Sequence, residues 1–350
     1  MSGTAALLTT SFPRSPGDPS GHFVLSDALR TARAGERVVV LCPGPPREPP
    51  PGLTIVPLGG GAAFGWPGVA ARLREDPRRV VDVARVMGAM ASHLRATTAH
   101  RTIAHFLLPC GLLALLDGRP TTLWGHGSDV RLVTAIPGLA STFARLVAAR
   151  RARLVFVAAH LRDSFLRAAG DAGRAIAAQV VVEAAPIDVE PLDEAQPARL
   201  AELRARLPRV PYAIWVGRMV AEKGPADAVL AASRAGVPLV LIGSGPAALP
   251  PATGVLRLGS VPRPETLAAI RDARALVFTS RHEGVPTVVR EALALGVPVL
   301  ALESAAVREL HAGPRDAGPP RGDLRSFRTL EELASQLASL FEEAAPILAR

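Results

Sequence analysis

Residues 275–296 read ALVFTSRHEGVPTVVREALALG, and this stretch contains a strand, a loop and a helix in succession. Its first five residues form a mostly apolar run that predicts a buried strand. Pro286 suits the first position of a helix, where its missing N–H is not needed, and Gly296 suits the end of that helix. The free amides at Thr287 and Val288 would then point beyond the strand end, where they suit a phosphate group.

The same pattern of strand, loop and helix repeats along the chain. The predicted strands are residues 5–8, 37–41, 101–106, 121–124, 154–158 and 179–182, followed by 212–216, 238–242, 255–258, 275–279 and 298–301. Among the segments with helical spacing are 23–34, 80–98, 142–151 and 330–343. This alternation predicts an α/β fold in which helices cover both faces of parallel sheets.

An acidic, proline-containing stretch, residues 188–197, separates the two series of strands. We therefore predict two Rossmann-like, doubly wound domains, residues 1–187 and 188–350, that face a central cleft. Ligands of doubly wound sheets bind at the carboxyl ends of the strands, so polar residues that follow a strand are the candidate site residues.

The composition fits two folded domains, since 49% of the 350 residues are hydrophobic and 20% are charged. The cysteines, Cys42 and Cys110, lie in or beside apolar runs and predict core packing rather than a disulfide framework. Residues 1–10 lack the basic start of a secretory leader, and the apolar runs are too short to span a bilayer. The expected location is therefore cytoplasmic.

The net charge of +9 is concentrated in the N-terminal half, where residues 1–190 hold 21 arginines and 14 acidic residues. Nucleic acid is not an expected partner, because aromatic residues for base stacking make up only 4% of the chain. An anionic membrane surface or an acidic substrate fits the charge better, unless arginine has simply replaced lysine on a solvated surface. One segment has basic and apolar residues side by side: Arg145, Arg150, Arg151 and Arg153 beside Phe143, Leu146 and Val147. It is a candidate for peripheral binding to the inner face of a membrane, and the alternative is a solvated helix end.

Lys223 is the only lysine of the chain, and it lies in VGRMVAEKG, residues 216–224, directly after a predicted strand. A flexible lysine and the planar guanidinium of Arg218 together suit a diphosphate, although both could be surface residues of a turn. Downstream, Glu283 precedes a predicted helix and Glu291 lies inside it. Each carboxylate can accept hydrogen bonds from the neighbouring hydroxyls of a sugar, and a glutamate in a largely buried helix needs partners.

Three motifs occur in a characteristic order: G-R-x-x-x-E-K-G from residue 217, I-G-S-G-P from residue 242, and E-x7-E from residue 283. In order and spacing they resemble glycosyltransferase family 4, whose members are retaining enzymes of the GT-B fold that use nucleotide-sugar donors. The resemblance implies roles for residues of both halves. Arg218 and Lys223 would bind the donor diphosphate, with Gly21 and the amides of Thr287 and Val288 near its phosphates. Glu291 would bind the ribose, and Val261 would lie near the nucleobase. Glu283, with the backbone of Gly284 and Val285, would bind the transferred sugar.

Two segments of the N-terminal half, A-H-F-L-L-P from residue 104 and W-G-H-G-S-D-V from residue 124, are also similar to the family. The resemblance places His126 near the reacting sugar and His105 and Asp129 on the acceptor side, whereas a histidine near apolar residues is also common in protein cores. The junction departs from the family, because A-P-I-D at residues 185–188 replaces P-N-G-V-D. The segment after residue 313 is short, so we expect the closing helix of the family to be truncated.

The predicted function is a retaining glycosyltransferase that moves a hexose-type sugar from a nucleoside-diphosphate sugar to a hydroxyl of a glycan, a lipid-linked acceptor or a small molecule. Arg218, Lys223 and the helix amides would stabilise the leaving diphosphate. We expect neither a metal nor a cofactor, since the sequence has no D-x-D motif and no Cys/His cluster. The alternatives are a nucleotide-sugar epimerase of similar fold, which would need no acceptor, and a non-catalytic nucleotide-sugar-binding protein.

Overall fold

The computed structural model describes residues 3–184 apart from 16, 19, 61–62 and 65–68, and residues 196–312 and 322–343. The chain divides into two compact units, Met1–Pro186 and Ile187–Arg350. The predicted domain boundary at 187 and 188 and the A-P-I-D segment lie outside the described residues, so both stay predictions.

The N-terminal unit is built around a parallel sheet. Among its described residues this sheet has seven strands in the order β3-β2-β1-β4-β5-β6-β7. The strands are β1 (Thr4–Leu8), β2 (Arg37–Cys42), β3 (Leu53–Pro57), β4 (Arg101–His105), β5 (Thr121–Gly125), β6 (Arg153–Phe156) and β7 (Val180–Val182). The helices are α1 (His22–Arg33), α2 (Val69–Glu75), α3 (Val80–Ala96), α4 (Leu112–Asp117), α5 (Ser128–Ala135), α6 (Leu139–Arg150), α7 (Ala159–Ala169) and α8 (Asp171–Ala175).

The C-terminal unit contains a second parallel sheet, with six strands in its described part in the order β10-β9-β8-β11-β12-β13. The strands are β8 (Ala213–Val216), β9 (Leu239–Ile242), β10 (Val255–Gly259), β11 (Ala275–Phe278), β12 (Val299–Leu302) and β13 (Leu324–Phe327). The helices are α9 (Pro197–Arg206), α10 (Pro225–Ala235), α11 (Arg263–Arg271), α12 (Thr287–Ala294), α13 (Ala305–Ala312) and α14 (Leu330–Glu342).

Alternate residues of the central strands pack on opposite faces of this second sheet. Ile214 belongs to a buried apolar cluster that includes residues of α9, α11, α12 and α13. Its neighbour Trp215 belongs to a cluster on the other face, with residues of α10 and α14. Because both faces are covered, each strand is an almost continuous apolar run, which is the pattern that predicted parallel sheets. The predicted fold class is confirmed.

Two strands, β3 and β13, are absent from the sequence-based prediction, which is wrong there. Both lie at sheet edges, where strands are only partly covered and a continuous apolar run is not needed. Pro286 also differs from its predicted place: α12 begins at Thr287, and Pro286 is the capping residue before it. Cys42 and Cys110 are buried free thiols, as predicted.

The predicted lipid-facing helix corresponds to α6, and its apolar side does not face solvent. Phe143 and Val147 are buried in the core of the unit, whereas Arg145 and Arg150 are exposed. The exposed side of α6 is therefore basic, and Phe143 and Val147, which the sequence predicted to contact lipid, lie in the core instead. No single described helix is long and apolar enough to cross a membrane, although α5 and α6, which are bent by 110° relative to each other, pass that test as a pair.

Candidate functional site

The loop after β8 places the only lysine of the chain beside the first glutamate of the E-x7-E motif. The ammonium group of Lys223 donates to Oε1 of Glu283, which lies in the loop after β11. Both side chains are only 17% exposed, so solvent screens the pair incompletely. Arg218, at the start of the same loop, is 40% exposed and contacts Glu222 at 3.3 Å. The structure thus brings together Lys223 and Glu283, which the sequence placed 60 residues apart.

Backbone contacts join these two loops closely. Gly224 has φ +65°, and a Cβ there would lie 2.5 Å from the carbonyl oxygen of Thr279. The Thr279 hydroxyl donates to the Gly224 carbonyl at 2.7 Å and accepts from Nε1 of Trp215 at 3.1 Å. Only glycine fits this approach without strain, so the residue after Lys223 sets the distance between the loops. Sequence analysis missed Thr279, although its place at the end of β11 was a usable signal.

Glu291, the second glutamate of the motif, forms a buried ion pair that sequence analysis did not predict. Its Oε1 accepts from Nη1 of Arg263 at 2.5 Å, and the two residues are 5% and 9% exposed. Arg263 is the first residue of α11, two positions after Val261, which packs against the core cluster beside this helix. Arg263 therefore fixes the orientation of a carboxylate that would be costly to bury alone.

The start of α12 presents its first-turn amides at the same end of the sheet. The helix begins at Thr287, and no side chain caps it. Gly284 and Val285 precede it in the loop that carries Glu283. Burial lowers the pKa of Arg290 in this helix, against the attraction of Glu291.

Gly21 is the residue before α1 and has φ +70°, in the left-handed region. A Cβ at this position would lie 2.4 Å from the Ser11 carbonyl oxygen. The loop after β1 therefore closes tightly over the start of α1, which requires glycine at this position.

His126 follows β5 and is held in place by Asp129. The carboxylate of Asp129 is buried and accepts hydrogen bonds from the backbone amides of Leu107 at 2.8 Å, His126 at 3.0 Å and Gly127 at 2.9 Å. Burial raises the pKa of Asp129, although these amides act in the opposite direction. Asp129 therefore shapes the loop that presents His126, and its place on the acceptor side stays a prediction.

His105, at the end of β4, lies between His126 and an aspartate of α1. Its Nδ1 is 3.0 Å from Nε2 of His126, and its Nε2 is 3.1 Å from Oδ2 of Asp27. Asp27 and His105 are 2% and 1% exposed, and Arg30 donates to the other oxygen of Asp27 at 2.6 Å. Sequence analysis missed Asp27, although a charged residue on the buried face of α1, with Val24, Ala28 and Thr31, is a signal of a polar core contact.

The environment of this cluster shifts two pKa values. Burial alone would raise the pKa of Asp27, but the hydrogen bonds and charges of His105 and Arg30 outweigh it, and the pKa is lowered. Burial and the neighbouring His105 lower the pKa of His126 well below 6.5, against the opposing attraction of Asp27. Near neutral pH, Asp27 is therefore ionised and His126 is neutral.

Residues 210–343 match the family model described as glycosyl transferases group 1. This segment is therefore similar to that family. It contains Lys223, Glu283 and Glu291, together with the buried partner Arg263. Among the residues that the structure describes, no group of three or more His, Cys, Asp and Glu side chains has the arrangement of a metal site.

The chain is also similar to a curated relative, the putative teichuronic acid biosynthesis glycosyltransferase TuaC of Bacillus subtilis strain 168. The two are 29% identical over 216 residues, which are 59% of this chain and 54% of the relative, so the match spans about half of the relative's length.

Solved structures share the fold over nearly the whole chain. Anabaena Alr3699/HepE in complex with UDP-glucose has a TM-score of 0.61 at 17% identity, covering 98% of this chain and 91% of that one. Sucrose-phosphate synthase from Thermosynechococcus elongatus has a TM-score of 0.66 at 18% identity, covering 98% and 90%. WaaG, a glycosyltransferase involved in lipopolysaccharide biosynthesis, has a TM-score of 0.61 at 14% identity, covering 98% and 91%. These likenesses confirm the predicted GT-B fold class, two parallel sheets with surrounding helices.

Proposed function

We propose that the chain is a retaining, family 4-like glycosyltransferase that moves a sugar from a nucleoside-diphosphate sugar to an acceptor hydroxyl without a metal ion. The observation that carries this proposal is the pairing of Lys223 with Glu283 at the ends of β8 and β11. A cation for phosphate and a carboxylate for sugar hydroxyls lie side by side there. Glu291 and the amides of α12 follow in the same segment.

Lys223 and Arg218 would neutralise the charge that develops on the departing diphosphate. An ammonium group has three donors, so Lys223 can bind a phosphate oxygen while it keeps its contact with Glu283. The first-turn amides of α12, at Thr287 and Val288, would add donors that are fixed before the reaction begins. This set of cations and amides is the reason for proposing a metal-independent reaction.

Glu283, with the backbone of Gly284 and Val285, would bind hydroxyls of the transferred sugar. Glu291 would bind the ribose, and the buried contact with Arg263 supports this role because it holds the carboxylate in one orientation. Val261 would lie near the nucleobase. The structure of Anabaena Alr3699/HepE contains UDP-glucose, which makes that donor the first to test.

The N-terminal unit would serve the reaction through His126, whose pKa keeps it neutral and able to accept a hydrogen bond. Gly21 would lie near the donor phosphates. The acceptor would be a hydroxyl of a glycan, a lipid-linked sugar or a small molecule, and His105 would lie on the acceptor side.

Arg145, Arg150 and Arg151 are exposed and motivate a proposal of cytoplasmic, peripheral binding to anionic lipids on the inner face of a membrane. Co-sedimentation with anionic vesicles should then weaken as salt rises, because long-range attraction is screened. Co-sedimentation that does not change with salt would contradict this electrostatic form of binding.

The decisive experiment combines donor binding with turnover. A thermal-shift panel of nucleoside diphosphates and their sugars identifies the donor, because a ligand of the native state raises the melting temperature. Lys223→Ala should then abolish transfer and leave the fold intact, whereas Arg234→Ala, which removes a cation from an exposed pair in the same unit, should remain active. A fully active Lys223→Ala variant would refute the assigned role.

Two other results would favour the alternatives. Interconversion of two nucleotide sugars by the purified protein, without transfer to any added acceptor, would identify an epimerase. Absence of nucleotide affinity in a calorimetric titration, together with absence of turnover, would refute the proposed transferase.

A further inference from the structure

A series of polar groups extends from exposed Arg30, through the buried side chains of Asp27 and His105, to His126. It comprises Arg30, Asp27, His105 and His126, joined by contacts of 2.6, 3.1 and 3.0 Å. We propose that Asp27 and His105 are positioning residues that hold His126 in one tautomer, so that its Nδ1 accepts a hydrogen bond from a substrate hydroxyl. This inference rests on the proposed function, in which His126 serves the reaction.

The positions of the hydrogens follow from the ionised state of Asp27. A carboxylate only accepts, so Nε2 of His105 carries the hydrogen that faces Oδ2. In the proposed arrangement His105 carries this single ring hydrogen, so its other nitrogen, Nδ1, is an acceptor, and it can accept only from an Nε2–H group of His126. Neutral His126 therefore has a bare Nδ1. No described residue forms a hydrogen bond with that nitrogen.

The packing of the rings prevents either histidine from turning away. The His105 and His126 ring centroids are 5.2 Å apart with planes inclined by 16°, which places the rings edge to edge around their 3.0 Å contact. Trp124 lies nearly parallel to both rings. The ring centroids of Phe23 and Phe106 lie 4.7 and 5.0 Å from the ring centroid of His126. These aromatic contacts keep the lone pair of His105 aligned with the hydrogen of His126.

Arg30 fixes which oxygen of Asp27 faces His105. Its guanidinium donates to Oδ1 of Asp27 and also contacts Glu183 at 2.8 Å. A guanidinium group has no acceptor, so the atom of residue 27 that faces Arg30 must be an oxygen. This constraint predicts an unusual effect of Asp27→Asn. The amide oxygen of the new side chain would face Arg30, and its NH₂ group would face His105.

An amide NH₂ at that place reverses the hydrogen bonds from residue 27 to His105 and from His105 to His126, while Arg30 still donates to an oxygen. It would donate to Nε2 of His105, whose hydrogen would move to Nδ1 and be donated to Nε2 of His126. The hydrogen of His126 would then lie on Nδ1, which would become a donor. Asp27→Asn should thus change the hydrogen-bonding sense of His126 while it changes few heavy-atom positions.

The first test is an imidazole ¹⁵N correlation spectrum of the uniformly labelled full chain above the ordinary pKa of histidine. The chain has eight histidines, and the spectrum of His126→Gln identifies the signal of His126 by its loss. We expect a protonated Nε2 and a bare Nδ1 in the unsubstituted protein, and a protonated Nδ1 in Asp27→Asn. A protonated Nδ1 in the unsubstituted protein would overturn the proposal without any need for the Asp27 variant to fold.

The second test measures turnover of UDP-glucose by Asp27→Asn. We expect kcat to fall by about five- to a hundredfold, the effect of leaving one buried hydrogen-bonding group without a partner, with unchanged affinity for UDP. Asp82→Asn makes the same chemical change in an exposed pair with Arg85 and should leave kcat unchanged. A reversed tautomer with unchanged kcat would overturn the proposed role of the tautomer in the reaction.

The two tests separate this inference from the function on which it rests. If the unsubstituted protein turns over no nucleotide sugar at all, the proposed function fails, and the spectrum still decides the tautomer of His126. If turnover is present and Asp27→Asn leaves the His126 signal unchanged, the positioning role of Asp27 is refuted while the transferase proposal stands.

Discussion

Replacement of Arg263 by methionine should destabilise the C-terminal unit strongly. The pair of Arg263 and Glu291 is almost fully buried, with residue exposures of 9% and 5% and a contact of 2.5 Å. Arg263→Met keeps much of the apolar volume but removes the guanidinium group that donates to the buried carboxylate of Glu291. Loss of one member of a buried ion pair typically lowers the free energy of unfolding by about 3–5 kcal/mol.

That loss is a large part of the stability of an ordinary domain, which is about 5–15 kcal/mol. Hydrogen exchange measured by mass spectrometry on the full chain can locate it, because exchange in β11 and α12 reports the opening of this unit. A loss of about 3–5 kcal/mol corresponds to exchange that is faster by about two to nearly four orders of magnitude.

Two further variants make the result specific. The double variant Arg263→Met with Glu291→Gln removes both charges of the pair, and it should recover much of the lost stability because the buried carboxylate charge is removed together with its donor. Arg234→Met removes an arginine from an exposed pair with Glu331 and should change exchange little. The reasoning is refuted if Arg263→Met behaves like Arg234→Met, or if the double variant is no more stable than the single one.

Three other predictions test the structure. Because the pKa of His126 is lowered, this histidine takes up a proton near pH 6.5 in the unfolded chain but not in the folded chain. The free energy of unfolding should therefore hold above pH 6.5 and decline below it by up to about 1.4 kcal/mol per pH unit. Thermal melts of His126→Gln against pH should show a flatter decline. Gly224→Val should lower the free energy of unfolding by about 2 kcal/mol or more and weaken donor binding, since φ +65° and the Thr279 carbonyl exclude a β-branched side chain; a urea denaturation curve equal to that of the unsubstituted protein would contradict this. Thr329 and Glu332 form a capping box at the start of α14, so Thr329→Ala should cost about 1 kcal/mol in the same assay, and no change in the midpoint would show that the cap contributes nothing.

Much of the fold could be predicted because each central strand is a continuous apolar run in the sequence. Residues 275–279 were predicted as a strand, and the structure contains β11 there. The edge strand β13 shows no such run: it reads LRSF, none of its residues is buried, and its sequence does not distinguish it from a loop. Pro286 shows the limit at helix ends, where one residue separates a capping position from the first helical one.

Candidate site residues could be predicted only where a motif marked them. Lys223, Glu283 and His126 follow strands in recognisable segments, whereas Asp27 and Arg263 lie on helices far along the chain from their partners. Asp27 is 78 residues from His105, and Arg263 is 28 residues from Glu291. A contact over such a separation depends on sheet order and helix placement, which leave no local pattern in the sequence.

The sequence by itself determined the alternation of strands and helices, the order of the three motifs and the chemical types available for a nucleotide-sugar site. These properties depend on neighbouring residues, so they can be read along the chain. Only the tertiary structure decided that Lys223 pairs with Glu283, that Arg263 contacts Glu291, and that Asp27, His105 and His126 lie within hydrogen-bonding distance of one another in series. Buried charges and hydrogen-bonding groups require partners, and which group becomes the partner is fixed only when the parallel sheets bring the ends of distant strands and helices together.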